Sequence, residues 1–363
     1  MIIKKFKAEG FRNIELCDIR FTDGTNLLYG NNAQGKTNAI EGIYLFARGK
    51  SFRSAEDKEL VGFGKNFFRV YIEYEDKNGE NSLEYTYLGR ERRRKRNGYS
   101  IKSVKEMIGG FRAVLFYPDH LGLVKDSPDE RRQFLNIAIG QCYPYYINLY
   151  SDYKNALENR NCLLKMASKG LYVDSGELES WSYSLSEYAS HIYIKRKEYI
   201  KKLEYYAKKI MADISDGKEE LSFIYKNDIN SDTDSREEAF IEYRKVFSEG
   251  IEREKIVGTS LFGPHRDDIE ILINGKSARH FASQGQQRSV VLSMKLGEGE
   301  VNREIYGEYP VFLFDDVLSE LDEKRKKYVL SGIDKRQIII TGCENDPDIR
   351  ADNIIMVSAG EFK

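Results

Sequence analysis

No stretch of this 363-residue chain approaches the ~18 consecutive apolar residues of a membrane-spanning helix, so a soluble chain is expected. The opening MIIKKFKAEG lacks an apolar segment of the length a secretory signal needs. Cysteine is scarce: Cys17, Cys142, Cys162 and Cys343 are scattered, with no C-x-x-C pair to hold zinc. They read as reduced thiols and predict a cytoplasmic setting. Net charge is nearly absent, 57 Lys and Arg against 58 Asp and Glu, so any nucleic-acid surface must be a local patch. Proline is rare (6) while tyrosine is abundant (25), a drift across the chain that weakens any argument from local aromatic or lysine enrichment. What remains, 41% hydrophobic and 32% charged residues in a chain long enough for two or three domains, is the profile of a globular protein.

Three zones follow. The first ~120 residues read as short strands: IIKKFKAEGF and IELCDIRFT alternate at period two, and TNLLYG is a buried-type strand. FFRVYIEYED, NSLEYTYLGR and YSIKSV read as antiparallel strands, separated by turns at Lys77-Asn78-Gly79 and Arg96-Asn97-Gly98. From Asp129 to about Ser215 the apolar spacing is helical, with polar interruptions at Arg160 and near Lys195. The loop SKGLYVDSGE divides this zone, which predicts either an antiparallel helical hairpin or ordinary amphipathic helices of one bundle. Beyond GPHRDDIEILINGK, the runs PVFLFDD and RQIIITGC are continuously apolar, as central parallel strands are. The expected fold class is α/β with an inserted helical lobe.

YGNNAQGKTNAIE fits G-x-x-x-x-G-K-[ST] between a strand and a helix. Gly30 and Gly35 permit the tight path; Asn31, Asn32, Ala33, Gln34 and Asn38 complete the loop and its exit. Backbone N–H groups from Asn32 to Thr37 can point at phosphate oxygens, and the following helix adds its positive end. Lys36 supplies charge to the β- and γ-phosphates, and the Thr37 hydroxyl is placed for Mg²⁺. This is a phosphate cradle for ATP.

Such a loop does not distinguish kinases, transporters and switches. VFLFDDVLSELD is an apolar strand ending in two carboxylates. Asp315 is the expected Mg²⁺ residue, and Asp316 a general base for the attacking water, catalytic together with Lys36. SQGQQRS precedes this strand and opens a helix, a second anion-binding feature. One chain needs one cradle per ATP. Two chains face to face would use both, with ATP between the loop of one and Ser283, Gln284, Gly285 and Gln286 of the other.

In this order the motifs resemble the ATP-binding-cassette heads of the SMC/Rad50 group and, among them, the RecF family of bacterial recombinational-repair ATPases. FRNIE, GKSFR, FYPDHLGLVKDSPDERRQFLN, GPHRDDIEILING, FASQGQQRS and FLFDDVLSELD carry the resemblance across nearly the whole chain. It implies a P-loop ATPase lobe with mixed sheets at 1–125 and 258–363, and a mainly helical lobe at 126–257 too short for a long coiled coil. It also implies an ATP-dependent homodimer, slow DNA-stimulated hydrolysis, and action with RecR and RecO to help load RecA at single-strand gaps. Three departures stand out. LFYPDHLG occupies the place of a Mg²⁺-contacting glutamine, and IIITGC ends without the histidine many relatives carry. The base position holds Asp316 rather than Glu, one methylene shorter.

RERRRKRNG is the densest basic run, and Arg92, Arg93, Arg94 and Lys95 are the candidate contacts to single- and double-stranded DNA. The alternative is a solvated strand end. Lys195, Arg196, Lys197, Lys201, Lys202, Lys208 and Lys209 form a second candidate on the helix, with a solvated outer face as its alternative. No base-reading element is visible, so no sequence preference is expected. A transporter-type cassette and a small-molecule kinase are the competing functional classes. The first would couple to a membrane partner; the second would need no trans motif.

Overall fold

A computed structural model describes residues 1–53, 56–229, 232–331, 336–344 and 349–363. The chain folds into two compact units: Met1–Leu121 with Tyr206–Glu220 and Ser283–Lys363, and Gly122–Tyr205 with Leu221–Ala282.

The first unit begins with β1 (Ile2–Phe11), β2 (Ile14–Arg20) and β3 (Thr25–Tyr29), then α1 (Lys36–Arg48). β4 (Phe67–Asp76), β5 (Gly79–Leu88), β6 (Glu91–Arg96), β7 (Tyr99–Ile101) and β8 (Ala113–Phe116) follow. An antiparallel sheet runs in the order β2-β1-β4-β5-β6-β7. Its alternation turns Phe6, Ala8, Phe68, Val70, Ile72 and Leu83 into the core. Helix α1 lies so close to this layer that a Cβ on Gly42 would stand 2.6 Å from Phe6 Cζ. Asn97 and Gly98 turn β6 into β7 with φ of 50° and 81°, the left-handed pair a tight hairpin requires. The sequence pattern does not separate β6 from its neighbours, because ERRRKR has no apolar alternation and its side chains are exposed or half-exposed.

The second unit holds α2 (Gly122–Lys125), α3 (Pro128–Cys142), α4 (Tyr145–Ala167) and most of α5 (Ser175–Ser215), then β9 (Leu221–Lys226) and α6 (Arg236–Val257). β10 (Asp268–Ile273), β11 (Lys276–Ser277) and α7 (Ala278–Phe281) complete it. Residues 258–282, grouped with the ATPase lobe on sequence, fall here because β10 pairs along its whole length with β9.

Helices α4 and α5 run antiparallel: Arg160 Nε donates to Ser182 Oγ at 2.9 Å, and Arg196 Nε to Tyr146 OH at 3.3 Å. The polar interruptions of the helical pattern are therefore buried anchors. Arg160 pairs with Glu254 of α6, so a third helix joins the pair. Fully buried Arg196 donates to Asp267 Oδ2 at 2.8 Å, Asn136 Oδ1 at 3.1 Å and the Pro264 carbonyl. Arg131 grips Asp268 bidentately at 2.6 and 3.0 Å. Such paired interior charges hold one arrangement, since removing either partner strands the other. The GPHRDD and DERRQFLN stretches thus meet in a polar core.

The chain returns to the first unit with α8 (Gln284–Tyr306), β12 (Val311–Phe314), α9 (Glu323–Ser331), β13 (Ile338–Gly342), β14 (Asn353–Ser358) and β15 (Glu361–Phe362). The central sheet runs β15-β14-β3-β13-β12-β8, parallel from β14 to β8. β12 is buried throughout and β13 up to Gly342, as the continuous apolar runs predict. β13 lies between β3 and β12, so the carboxyl ends of these three strands share one edge. Among the described residues no helix is long and apolar enough to cross a membrane.

Candidate active site

The glycine loop leaves β3 at that edge. Gly30 has φ 153°, and any Cβ there would collide with the Val357 carbonyl of β14, so its glycine is required by backbone approach as well as by conformation. The loop tip is braced from behind: the backbone N–H of Gly360 donates to the Gln34 carbonyl at 2.9 Å, and that of Ala359 to Gln34 Oε1 at 2.5 Å. Asn13, in the β1–β2 turn, donates from Nδ2 to the Ala33 carbonyl at 3.0 Å and receives a bond from Asn38 Nδ2 at 2.6 Å.

Helix α1 starts at Gly35 (φ 116°) with no side-chain cap and no acidic residue in its first turn. Its leading N–H groups and positive dipole end remain available to an anion. Lys36 is 3% exposed, and its Nζ donates to the carbonyls of Gly30 at 2.6 Å and Asn31 at 2.9 Å, which stretches the ammonium across the loop. At the next position Thr37 Oγ1 donates to Asp315 Oδ1 at 3.0 Å. The loop and the strand-end carboxylate, 278 residues apart, therefore meet.

Asp315 is 4% exposed, and burial pushes its carboxyl up to about 6, against hydrogen bonds from Thr341 and Thr37 that favour the charged form. A desolvated carboxylate beside a hydroxyl, both hard oxygen donors, fits Mg²⁺. Asp316 takes a left-handed conformation (φ 53°), which turns the chain out of β12 and sets its side chain one step beyond Asp315. Its backbone N–H donates to Thr341 Oγ1 at 2.9 Å, and Thr341 Oγ1 in turn donates to Asp315 Oδ1 at 2.8 Å. The run IIITGC predicts a strand whose end, Thr341 to Cys343, faces the γ-phosphate; in the structure Thr341 is hydrogen-bonded to the side chain of Asp315 and the backbone of Asp316. Just beyond it, Cys343 Sγ lies 3.0 Å from Asn32 Oδ1.

At the place expected for a glutamine, β8 ends beside β12 and the Asp315 N–H donates to the Phe116 carbonyl at 2.9 Å. His120 follows, stacked on Phe116 and edge-on to Tyr117. Burial, with Lys295 and Arg48 nearby, keeps its ring well below the usual histidine range.

The Ser-Gln-Gly motif opens α8. Ser283 is the N-cap of a capping box: Ser283 Oγ accepts from the Gln286 N–H at 3.2 Å, and Gln286 Oε1 from the Ser283 N–H at 2.8 Å. Gln286 Nε2 also donates to Glu219 at 2.9 Å. The cap uses Ser283 as an acceptor and leaves its hydroxyl proton to donate elsewhere. Ser283 and Gln284 are exposed, Gly285 half-buried.

The basic strand β6 lies apart in the antiparallel sheet. Arg92 pairs with Asp57, Arg93 with Glu91 at 2.8 Å and Lys95 with Glu84 at 3.2 Å. Arg94 lies over the Tyr85 ring at 4.8 Å. A phosphate there would compete with carboxylates for three of these four charges. On α5, Lys197 is likewise held by Asp232 and Asp234, and Arg196, expected on the same basic face, is instead fully buried against Asp267 and has no surface to offer DNA.

Residues 2–362 match the RecF/RecN/SMC N-terminal domain family. The chain is 38% identical over 344 residues to the DNA replication and repair protein RecF of Exiguobacterium sp., covering 94% of this chain and 92% of that protein. It is 36% identical over 363 residues to the protein of the same name from Thermoanaerobacter sp., covering 99% of each. A solved structure described as the recombination mediator protein RecF with ATP in the RecFOR pathway superposes with a TM-score of 0.93 at 33% identity, covering 100% of this chain and 97% of that one.

Proposed function

This chain belongs to the RecF/RecN/SMC N-terminal domain family and, within it, to the RecF proteins of DNA replication and repair, and on that premise we propose an ATP-operated switch that closes as a homodimer on DNA. The observation that carries the reading is the meeting of Lys36, Thr37, Asp315, Asp316 and Thr341 at one edge of the central sheet. The relative solved with ATP supports ATP as the nucleotide.

In this mechanism the loop N–H groups and the α1 terminus bind the phosphate chain, and Lys36 leaves the Gly30 and Asn31 carbonyls for the β- and γ-phosphates. Thr37 and Asp315 would hold Mg²⁺, which neutralises developing charge on those phosphates. Asp316 accepts a proton from the attacking water, positioned through its N–H to Thr341. Its shorter side chain suits a slow, DNA-stimulated switch better than a motor. Exposed Ser283, with Gln284, Gly285 and Gln286, completes the site from the partner subunit, the Ser283 hydroxyl donating to the γ-phosphate. DNA, single- or double-stranded and without sequence preference, is bound at Arg92, Arg93, Arg94 and Lys95. Likeness to a recombination mediator RecF of the RecFOR pathway supports RecR and RecO as partners; help in loading RecA at gaps is the proposed outcome.

Mixing two inactive variants tests the shared site. Lys36→Ala destroys the loop half and Ser283→Arg the capping half, so a mixed dimer retains one intact composite site. Recovery of ATP hydrolysis on mixing is the expected result. A mixture as inactive as its components contradicts the reading.

A further inference from the structure

Beyond the residues at the nucleotide site, one side chain ties the two faces of the proposed switch together within a single chain. Arg325, in the first turn of α9, is largely buried, at 18% side-chain exposure. Its Nη2 donates to the Gly285 carbonyl at 3.0 Å and to Ser289 Oγ at 2.7 Å, and its Nε to the same hydroxyl at 2.9 Å. Its Nη1 pairs with Asp322, whose Oδ1 also accepts the Arg325 backbone N–H at 2.9 Å. Asp322 closes the segment that begins at Asp316, where Ser319 Oγ donates to the Asp316 carbonyl at 3.2 Å. A second, longer link joins Arg288 of α8 to Glu320 at 3.5 Å. The first two turns of α8 and the segment after the carboxylate pair are thus fastened at two points.

We propose that Arg325 is a positioning residue that couples each chain's own hydrolytic carboxylates to the half-site that chain offers its partner. This rests on the reading that Ser283 to Gln286 act in trans. A shift of Asp316 and its following segment on hydrolysis would move Asp322, and through the guanidinium the Gly285 turn. The nucleotide held between that turn and the partner's loop would then feel the event. Coupling of binding free energies is reciprocal, so the two ATP sites of a dimer bind nucleotide cooperatively. A planar guanidinium is needed because only its fork can reach a carboxylate, a carbonyl and a hydroxyl together; a lysine offers a single point charge.

The test uses the full chain with saturating gapped DNA, reading hydrolysis against ATP concentration, with sedimentation velocity run in parallel. For the wild type the expected Hill coefficient lies well above 1 and below about 2, the ceiling for two sites. Arg325→Lys, which loses the fork, and Arg325→Ala, which loses the whole guanidinium, should still dimerise with ATP while the coefficient falls toward 1. A simple staple between two helices would change thermal stability and leave the coefficient as it was. The inference is overturned if both variants keep wild-type cooperativity, if both lose dimerisation, or if a wild-type dimer forms and shows none. A wild type that never dimerises with ATP instead removes the trans reading itself, and the sedimentation arm tells these cases apart.

Discussion

Thr341 Oγ1 and Asp315 Oδ1 are 2.8 Å apart, joined by a hydrogen bond from the hydroxyl to a buried carboxylate, while the same oxygen receives the Asp316 backbone N–H. One hydroxyl therefore holds the Asp315 carboxylate and the Asp316 backbone at the strand end.

Replacing Thr341 by Val keeps the shape and removes that bond. An unsatisfied buried polar group costs about 1–3 kcal/mol, and about 1.4 kcal/mol is a factor of ten in rate. Thr341→Val is expected to lower kcat about tenfold or more while ATP affinity changes little, and Thr341→Ser to restore most of the loss. Steady-state hydrolysis with nucleotide titration separates the two. Equal rates for Val and wild type would remove the role.

The two catalytic assignments predict different defects. Asp316→Asn should retain ATP binding and slow hydrolysis by about a hundredfold or more, the scale of a lost general base, leaving dimers that persist with ATP. Lys36→Ala should weaken ATP binding itself. A fluorescent nucleotide distinguishes these, and an Asp316→Asn variant hydrolysing at the wild-type rate contradicts the base assignment.

The charges on β6 predict a salt-dependent phenotype. With Arg92, Arg93, Arg94 and Lys95 changed to Ala, DNA affinity should fall, and the slope of log affinity against log salt should shrink by about 0.9 for each duplex phosphate no longer neutralised. The ion pairs to Asp57, Glu91 and Glu84 imply that the four side chains together neutralise fewer than four phosphates. Affinity unchanged at every salt concentration would exclude this strand.

Acid should loosen the second unit through His265, whose Nδ1 lies 2.6 Å from the Tyr153 hydroxyl. Burial lowers its value from 6.5 to about 4, assisted by the charges of Arg266, Arg132 and Arg196. The unfolded chain therefore binds the extra proton first. Stability is complete above about pH 6.5 and is lost as pH falls toward 4, by at most ~1.4 kcal/mol per pH unit from this group. Nearby Asp267, raised by burial, contributes in the opposite sense. Trp181, the single tryptophan, lies in this unit and reports its urea unfolding. His265→Gln should be less pH-sensitive than wild type between pH 5 and 7; an identical dependence would contradict the assignment.

What the sequence revealed and what it hid follow from the range of the interactions. The glycine loop and the Asp315–Asp316 pair were legible because each lies within one strand-to-turn segment whose residue types are constrained locally. Their union through Thr37 spans 278 residues and shows only in the fold. Strand β6 was not separable by pattern, since its pairing is fixed by neighbouring strands and not by apolar alternation of its own. Arg160 and the stretch near Lys195 stood out as breaks in a helical pattern, whereas burial of Arg160 with Glu254 and of Arg196 with Asp267 makes these breaks anchors of it. The tie from Arg325 to Gly285 left no trace, because an arginine in a charged helix looks like any solvated one.

Sedimentation velocity of the full chain with ATP, Mg²⁺ and gapped DNA, alongside the nucleotide-free protein and Lys36→Ala, asks most directly whether two copies close over shared nucleotide. A dimer for the wild type with ATP, and monomers in both controls, is the expected result. A wild-type protein that sediments as a monomer at high concentration, with nucleotide and DNA bound, contradicts it.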